Sequence, residues 1–464
     1  MEIKKEEEKM KTLEVYNPYN RHLIEKVPVT DKESINKIIE TAARHKIADI
    51  DIVERAEILA KIGETLHRHR YEFMLLLVTE GGKPFVDAEH EVAAAVKRLF
   101  LARQELHYMR GHYIPGEQAP GSPFQFAFVT RKPLGTVLVI TPFNYPLFIP
   151  IAKIVPALVA GNSIICKPSS ETPLSTIRFV ELANQLLDTP GALSVIVGGG
   201  SEVGDFLVSH PGIDGISFTG STEIGKRIVK MAGIKKLQLE LGGKSPALVL
   251  EDADLDLAAR ECVTGAMKGG GQRCDALSRC LVVESVLDKF TKKAIEEVKK
   301  WPFGDPFLRT TRIGPLINRK AIEHVHYLVT DAVARGAEVV LGGHRLDPFY
   351  EPTILTQVTK SMDIAWKEIF GPILVIIPVK DATEAIQLAN QSEYGLDASV
   401  FTKDLERGIQ IAHQLQCGSV TINRHPQHGF GIVPYGGDRQ SGLGREGLGW
   451  SVTEMSKLRT VVVS

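Results

Sequence analysis

Cysteine is scarce in this chain. Five occur among 464 residues, at 166, 262, 274, 280 and 417, and no two form a CxxC pair. An odd, sparse count excludes a disulfide scaffold and a zinc site of the usual spacing, and free thiols in a reducing compartment are expected. Net charge is also nearly absent, at -1, so composition offers no basis for nucleic acid or an anionic membrane as a partner. No apolar run approaches the roughly 20 residues of a membrane span. The opening MEIKKEEEKMK has no apolar leader core. It reads as a solvated, frayed tail, and a cytoplasmic location is expected. Internal repeats and low-complexity stretches are missing too. What remains is an ordinary globular composition, 44% hydrophobic and 24% charged, on a chain too long for one core, so two or more domains are expected.

Residues 32 to 111 read as helices. Asp31 opens the first in a capping-box-like context, and residues 88 to 111 read as one long amphipathic helix ending at Gly111. Residues 112 to 122 carry Pro115, Gly116, Pro120 and Gly121 and read as a linker, followed by a strand, FQFAFVTRKP. From Gly135 the pattern changes. TVLVIT, SIICK, LSVIV, GISFTG and KLQLEL alternate with helical stretches, which predicts a parallel, doubly wound sheet with its ligand at the carboxyl ends of the strands. A second α/β unit follows. It comprises SPALVLED, a helix over 255–267, RCLVVES, an alternation around Ala332 to Val340, GPILVIIPV, a helix near 382–390 and ASVFT. KLRTVVVS ends the chain as a β-rich tail.

The stretch with the clearest chemistry is MKGGGQRCDALSRC, Met267 to Cys280. A lone cysteine is most often buried and inert. Here three glycines precede Gln272, Arg273 and Cys274, which suits a nucleophile that a carbonyl must approach, with backbone N–H groups free to meet an oxyanion. Positive charge such as Arg273 would lower the thiol pKa.

LELGGKSP (239–246) followed by GQRC (271–274) resembles the NAD(P)-dependent aldehyde dehydrogenase superfamily, down to the 34 residues from Glu240 to Cys274. TPFNYP (141–146), GNSIICKPS (161–169), FTGSTEIG (218–225), EIFGP (368–372) and PYGGDRQSGLGRE (434–446) match as well, in family order, and the likeness runs from about Val15 to the C-terminus. It implies an α/β fold with a Rossmann-like cofactor domain (1–115 and 134–241), a catalytic domain (242–440) and β oligomerisation segments (116–133 and 441–464) of a homodimer or homotetramer. It implies Cys274 as nucleophile forming a thiohemiacetal and then a thioester, Asn144 with the Cys274 N–H as oxyanion donors, and Glu240 as base for hydrolysis. For NAD or NADP it implies Thr141, Pro142, Phe143, Lys167, Ser169, Ser170, Gly200, Phe218, Thr219, Gly220, Ser221, Leu241, Glu368 and Phe370, with Ser221 opening a helix toward the pyrophosphate. No metal is implied.

One departure concerns the cofactor. Members that prefer NAD often carry Glu three residues after the cofactor lysine. Here that position is Ser170, with Glu171 next, so acceptance of NADP is expected. For the substrate, Arg273 beside the nucleophile resembles non-phosphorylating glyceraldehyde-3-phosphate dehydrogenases, and NRHPQHGFG adds Arg424, His425 and His428, with Arg103 as a further candidate. These cations point to a short anionic or hydroxylated aldehyde of the glyceraldehyde 3-phosphate, lactaldehyde, sulfolactaldehyde or semialdehyde type. Two rivals are a CoA-acylating enzyme and a non-catalytic protein on the same fold. Glu240 counts against the first, since such members typically lack it. Intact Cys274, Glu240 and Asn144 count against the second.

Overall fold

A computed structural model describes residues 11–44, 47–122, 124–428 and 431–464. Residues 1–10 of the tail expected to fray lie outside the described residues.

All five strands expected after Gly135 form, and they share one six-stranded sheet. Its spatial order is Gly442–Leu443, Lys236–Glu240, Gly215–Thr219, Thr136–Ile140, Ser163–Lys167, Leu193–Val195. The last five run parallel, and Gly442–Leu443 pairs antiparallel with the end of Lys236–Glu240. The inner strands are buried on both faces, as continuous apolar runs such as VLVI require when helices cover a parallel sheet. Chain order reverses beside Thr136–Ile140, whose two neighbours are Ser163–Lys167 and Gly215–Thr219. That reversal is the switch point at which an open α/β sheet leaves a crevice at its strand ends.

The second unit is a seven-stranded sheet: Glu338–Leu341, Thr353–Thr356, Ile373–Val379, Leu277–Val283, Ser245–Val249, Asp397–Phe401, Ser419–Ile422. Only Glu338–Leu341 is antiparallel to its neighbour. Helix Leu255–Met267 begins at Asp254, whose carboxylate accepts from the N–H groups of Asp256 and Leu257, and it ends directly before the glycine run that leads to Cys274. A third, antiparallel sheet joins His112–Pro115, Phe126–Pro133 and Ser456–Val463, with Lys457 opposite Lys132 and Val463 opposite Phe126.

Four details differ from expectation. The long helix is Phe85–Phe100 and then breaks into a short turn, Ala102–Glu105, and a 3₁₀ turn, Leu106–Met109. Buried Glu105 pairs with Arg98 and accepts from the Gly449 N–H at 2.7 Å, which anchors the chain in those tighter turns. Residues 112–115 of the linker form a strand. An N-terminal hairpin, Thr12–Tyr16 with Leu23–Pro28, also has no counterpart in the sequence reading. Of residues 441–464, only Ser456–Val463 belongs to the third sheet. Gly442–Leu443 extends the six-stranded sheet, and Val452 and Met455 pack into the core beneath helix Phe148–Ala160. Asp31 does cap the first helix, Lys32–Arg44, accepting from the Ser34 N–H at 2.8 Å.

Candidate active site

A cleft of about 950 Å³ opens between the strand ends of the two large sheets, and Asn144, Glu240 and Cys274 all line it. The glycine run is dictated by backbone rather than by substrate access. Gly269, Gly270 and Gly271 have φ of 64°, 66° and 70°, the left-handed region that L side chains rarely adopt. A Cβ on Gly271 would also run into the carbonyl oxygen of Gly371. The run therefore turns the chain sharply out of helix Leu255–Met267 and delivers Cys274 to the cleft.

Asn144 Nδ2 donates to the Gln272 carbonyl at 2.7 Å, which fixes the amide against the nucleophile loop and leaves its second N–H free. The Cys274 backbone N–H has no acceptor among the described residues. Together they can supply the two donors that an oxyanion on the Cys274 adduct needs. The thiol is half-buried, and burial raises its pKa. The group opposing that rise is His428, whose Nε2 lies 3.4 Å from Sγ. Arg273, expected to have this effect, does interact electrostatically with Cys274, while its guanidinium donates to the Gly265 carbonyl at 3.2 Å and lies 3.6 Å from Asp275. The ring of His428 stacks on Tyr435 at 4.8 Å between centroids.

Glu240 ends its strand 6% exposed, with Oε1 lacking any partner among the described residues. Burial, with Glu446 beside it, pushes its carboxyl well above the usual range. Behind it runs a buried chain of polar groups. Tyr435 Oη donates to Glu446 at 2.9 Å, Lys153 pairs with the other Glu446 oxygen, and Lys153 donates to Ser217 Oγ at 3.0 Å. Ser217 in turn donates to Gln238 at 2.8 Å.

The expected cofactor residues converge on the other half of the cleft, and all of them line it. Helix Thr222–Met231 starts at Ser221, whose Oγ accepts from the Ile224 N–H, so the free N–H groups of that helix face the crevice. Lys167 is 5% exposed, and burial draws its pKa down to about 8. Among the described residues its ammonium makes one hydrogen bond, a long one of 3.4 Å to the Pro168 carbonyl. A buried ammonium so poorly satisfied fits a ligand rich in hydroxyl and phosphate oxygens. Glu368 accepts from the Gly243 N–H at 3.2 Å and is pushed up to about 7 by burial, and Phe370 packs edge-on against Phe143 at 5.8 Å. A Cβ on Gly199 or Gly200 would meet nothing within 4 Å, so this end is open. These features fit a dinucleotide laid along the strand ends. Ser170 and Glu171 both line the cleft: Ser170 Oγ donates to the Gly198 carbonyl at 3.3 Å, and the exposed Glu171 accepts from Asn318 at 3.0 Å.

The expected substrate cations are only partly brought together. Arg273, His425 and His428 line the cleft. Arg424 is exposed and does not line it, because the chain turns inward only at the buried residues His425 and Pro426. Arg103 points outward to an ion pair with Glu57 at 3.3 Å. His425 is held by Glu261 at 2.7 Å. Sequence reasoning passed over Lys268, which lines the cleft and whose ammonium has no hydrogen-bond or ion-pair partner among the described residues, although it stands six residues before Cys274 in the same glycine-rich stretch. It passed over Asp397 too, which approaches His428 from the strand Asp397–Phe401 and which no local motif marks.

The model of the "Aldehyde dehydrogenase family" matches residues 4–461. A lactaldehyde dehydrogenase of Methanococcus aeolicus is 36% identical over 98% of this chain and 97% of that protein. A 3-sulfolactaldehyde dehydrogenase of Priestia aryabhattai is 35% identical over 97% of this chain and 95% of that one. The crystal structure of an NADP-dependent glyceraldehyde-3-phosphate dehydrogenase from Bacillus halodurans C-125, complexed with NADP, superposes with a TM-score of 0.95 at 38% identity, covering 98% of this chain and 96% of its own. With that match over nearly the whole chain, and with Cys274, Asn144 and Glu240 gathered in one cleft, this chain belongs to the aldehyde dehydrogenase family and is an NAD(P)-dependent oxidoreductase acting on aldehydes.

Proposed function

We propose that the enzyme oxidises a short aldehyde bearing an anionic group, a phosphate, sulfonate or carboxylate, to the corresponding carboxylate, and that it accepts NADP. The observation that carries the substrate reading is Lys268. It is an ammonium in the cleft without a hydrogen-bond or ion-pair partner among the described residues, next to Arg273, whose buried Nε makes no hydrogen bond there and only a 3.6 Å ion pair with Asp275. Burial lowers the Lys268 pKa, and Arg273 adds to that effect, so an anion between the two relieves both. The names of the relatives, glyceraldehyde 3-phosphate and sulfolactaldehyde among them, support an anionic substrate. Asp87 and Asp275, which also line the cleft and interact with Lys268, favour a second reading: a neutral hydroxyaldehyde such as lactaldehyde, whose hydroxyl a carboxylate accepts.

In this reading Cys274 adds to the carbonyl, and the oxyanion is held by the free N–H of Asn144 and the backbone N–H of Cys274. The bound dinucleotide supplies the hydride acceptor. Glu240 then takes the proton of the water that cleaves the thioester, and its burial keeps competing water away from the adduct until that step.

Lys268→Met tests the reading. A lost charge-assisted hydrogen bond costs about 1.5–3 kcal/mol, or roughly 10- to 150-fold. KM for a phosphorylated or sulfonated aldehyde is expected to rise by that factor, with propanal nearly unaffected. An equal loss on both substrates assigns Lys268 to the loop's own structure.

Division into residues 1–115 with 134–241 as cofactor domain and 242–440 as catalytic domain is proposed on the same basis, as are a cytoplasmic location and assembly into a dimer or tetramer. Assembly is supported by the edge strand Ser456–Val463, which exposes Leu458, Val461 and Val462. Among the described residues no helix is long and apolar enough to cross a membrane. Truncation after Lys457 is expected to give monomers or insoluble protein by light scattering. A soluble, fully active monomer would remove the tail from the interface.

A further inference from the structure

Two bases border the nucleophile, and they are differently placed. Glu240 makes no hydrogen bond to Cys274 among the described residues, and its buried carboxyl holds its proton to well above the usual range. Without contact to the thiol, it is not placed to take the thiol proton. His428 has the opposite placement. Its Nε2 lies 3.4 Å from Cys274 Sγ, and its Nδ1 lies 3.1 Å from Asp397 Oδ2. The second contact is an ion pair whose N–H is not aimed along the line to the oxygen. Asp397 is 2% exposed and is itself fixed, because Ser419 Oγ donates to its other oxygen. The imidazole is clamped from a third side by its stack on Tyr435.

We propose that His428 is the catalytic base that takes the thiol proton of Cys274, oriented by Asp397, which leaves Glu240 to act on the attacking water alone. The carboxylate at Nδ1 sets the tautomer: the proton sits on Nδ1, and the lone pair of Nε2 faces the thiol. The S–H bond breaks, its proton passes to Nε2, and its electron pair stays on sulfur as the nucleophile. No oxidant or further reactant enters this step. The groups that face His428 are Cys274 and Asp275 on the nucleophile loop, Asp397 on its strand, Glu240 at the end of another strand and Tyr435 before the last glycine-rich segment. All are neutral or anionic, so the imidazolium formed by the transfer is stabilised where it stands. Burial alone would disfavour that cation, but Asp397 and Cys274 outweigh burial and raise its pKa well above the ordinary histidine value.

This inference goes beyond the substrate reading and does not depend on it, since any aldehyde must meet the same thiol. The test uses the full-length enzyme and two readouts: the rate of Cys274 alkylation by iodoacetamide as a function of pH, and the pre-steady-state burst with NADP and an aldehyde that the enzyme oxidises. His428→Gln is expected to slow alkylation at pH 7 by at least roughly tenfold, to move its rise to higher pH, and to cut the burst rate by roughly 100-fold or more, the range of general-base catalysis. Asp397→Asn is expected to shift both in the same direction by less, and it serves alone should His428→Gln fail to fold. Glu240→Gln should keep the wild-type alkylation profile and the burst. The proposal is overturned if His428→Gln or Asp397→Asn alkylates with the wild-type profile. It is equally overturned if the burst is lost while alkylation is unchanged, because His428 would then serve the substrate and not the thiol.

Discussion

The two halves of the cleft are built in different ways. On the cofactor side, contacts come from contiguous segments at the ends of parallel strands: residues 141–143 after one strand, 167–170 after the next, 218–221 after a third. On the aldehyde side, each working group comes from a different part of the chain. Cys274 stands on a loop from a helix, Asn144 on a strand end 130 residues earlier, His428 on the segment after the last sheet strand, and Asp397 inside that sheet. A parallel sheet delivers its strand ends to one crevice whatever the loops contain, so the first half is a property of the fold. The second half exists only once the two sheets have docked. The cofactor side should therefore tolerate single changes by adjusting preference, whereas the aldehyde side should lose whole steps.

The sharpest form of that contrast is Cys274→Ala set against Glu240→Gln. Loss of the nucleophile removes both half-reactions and should lower turnover by more than roughly 10⁴-fold, as removal of a catalytic nucleophile does elsewhere, with the Kd for NADP held within about threefold. Glu240→Gln should preserve a burst of one reduced cofactor per site and slow the steady state by roughly 10²- to 10⁴-fold. Turnover within tenfold of wild type in the alanine variant would remove Cys274 from the chemistry. A burst lost together with turnover would give Glu240 another role.

A smaller effect follows from the buried chain behind Glu240. Hydrolysis needs the carboxylate, whose pKa is raised by burial first and by Glu446 second, so kcat should climb with pH until that raised value is passed. Glu446→Gln removes the like charge and frees the Lys153 ammonium. Both changes favour the carboxylate, and the ascending limb should move to lower pH. A pH profile of steady-state kcat decides it. A limb that stays in place, or moves up, means that Glu446 does not act on Glu240.

Much of this was legible without coordinates, for a reason that follows from the contrast. The strands TVLVI, SIICK, GISFT and KLQLE are short β-branched runs between helical segments, and each strand-end motif is local, so the crevice and its residues could be read along the chain. Cys274 and Glu240 were legible through motif and spacing. His428 was noticed for its charge and assigned to the substrate. Its contacts to Cys274 and Asp397 span 154 and 31 residues, and no local periodicity encodes a pairing of that kind. Arg424 and Arg103 show the reverse error. Sequence counts cations near a site, but only packing decides which of them point inward, and both point to solvent. Lys268 was in plain view, yet its place at the end of helix Leu255–Met267 depends on three left-handed glycines whose turn was read as clearance for substrate.

The smallest expected effect lies on the cofactor side, at Ser170. Its hydroxyl bonds the Gly198 carbonyl, and Lys167 stands three residues before it in the same crevice. The carboxylate beside it, Glu171, also lines the cleft, but it is exposed and one of its oxygens is engaged by Asn318. Ser170→Glu would put a carboxylate where the 2′-oxygen of the adenosine ribose is expected. It would accept from a hydroxyl and repel a phosphate, and Lys167 would be divided between the new charge and the ligand. The ratio of kcat/KM for NADP to that for NAD should fall by about tenfold, corresponding to 1.4 kcal/mol, with kcat for either cofactor nearly unchanged since no reacting atom is touched. Asn318→Ala is the companion variant. By freeing Glu171 it offers a second carboxylate from the neighbouring position. If that variant shifts the ratio and Ser170→Glu does not, the discriminating residue is Glu171. If Ser170→Glu instead lowers kcat with both cofactors by the same large factor, this side of the cleft is as intolerant as the other, and the contrast between the two halves fails.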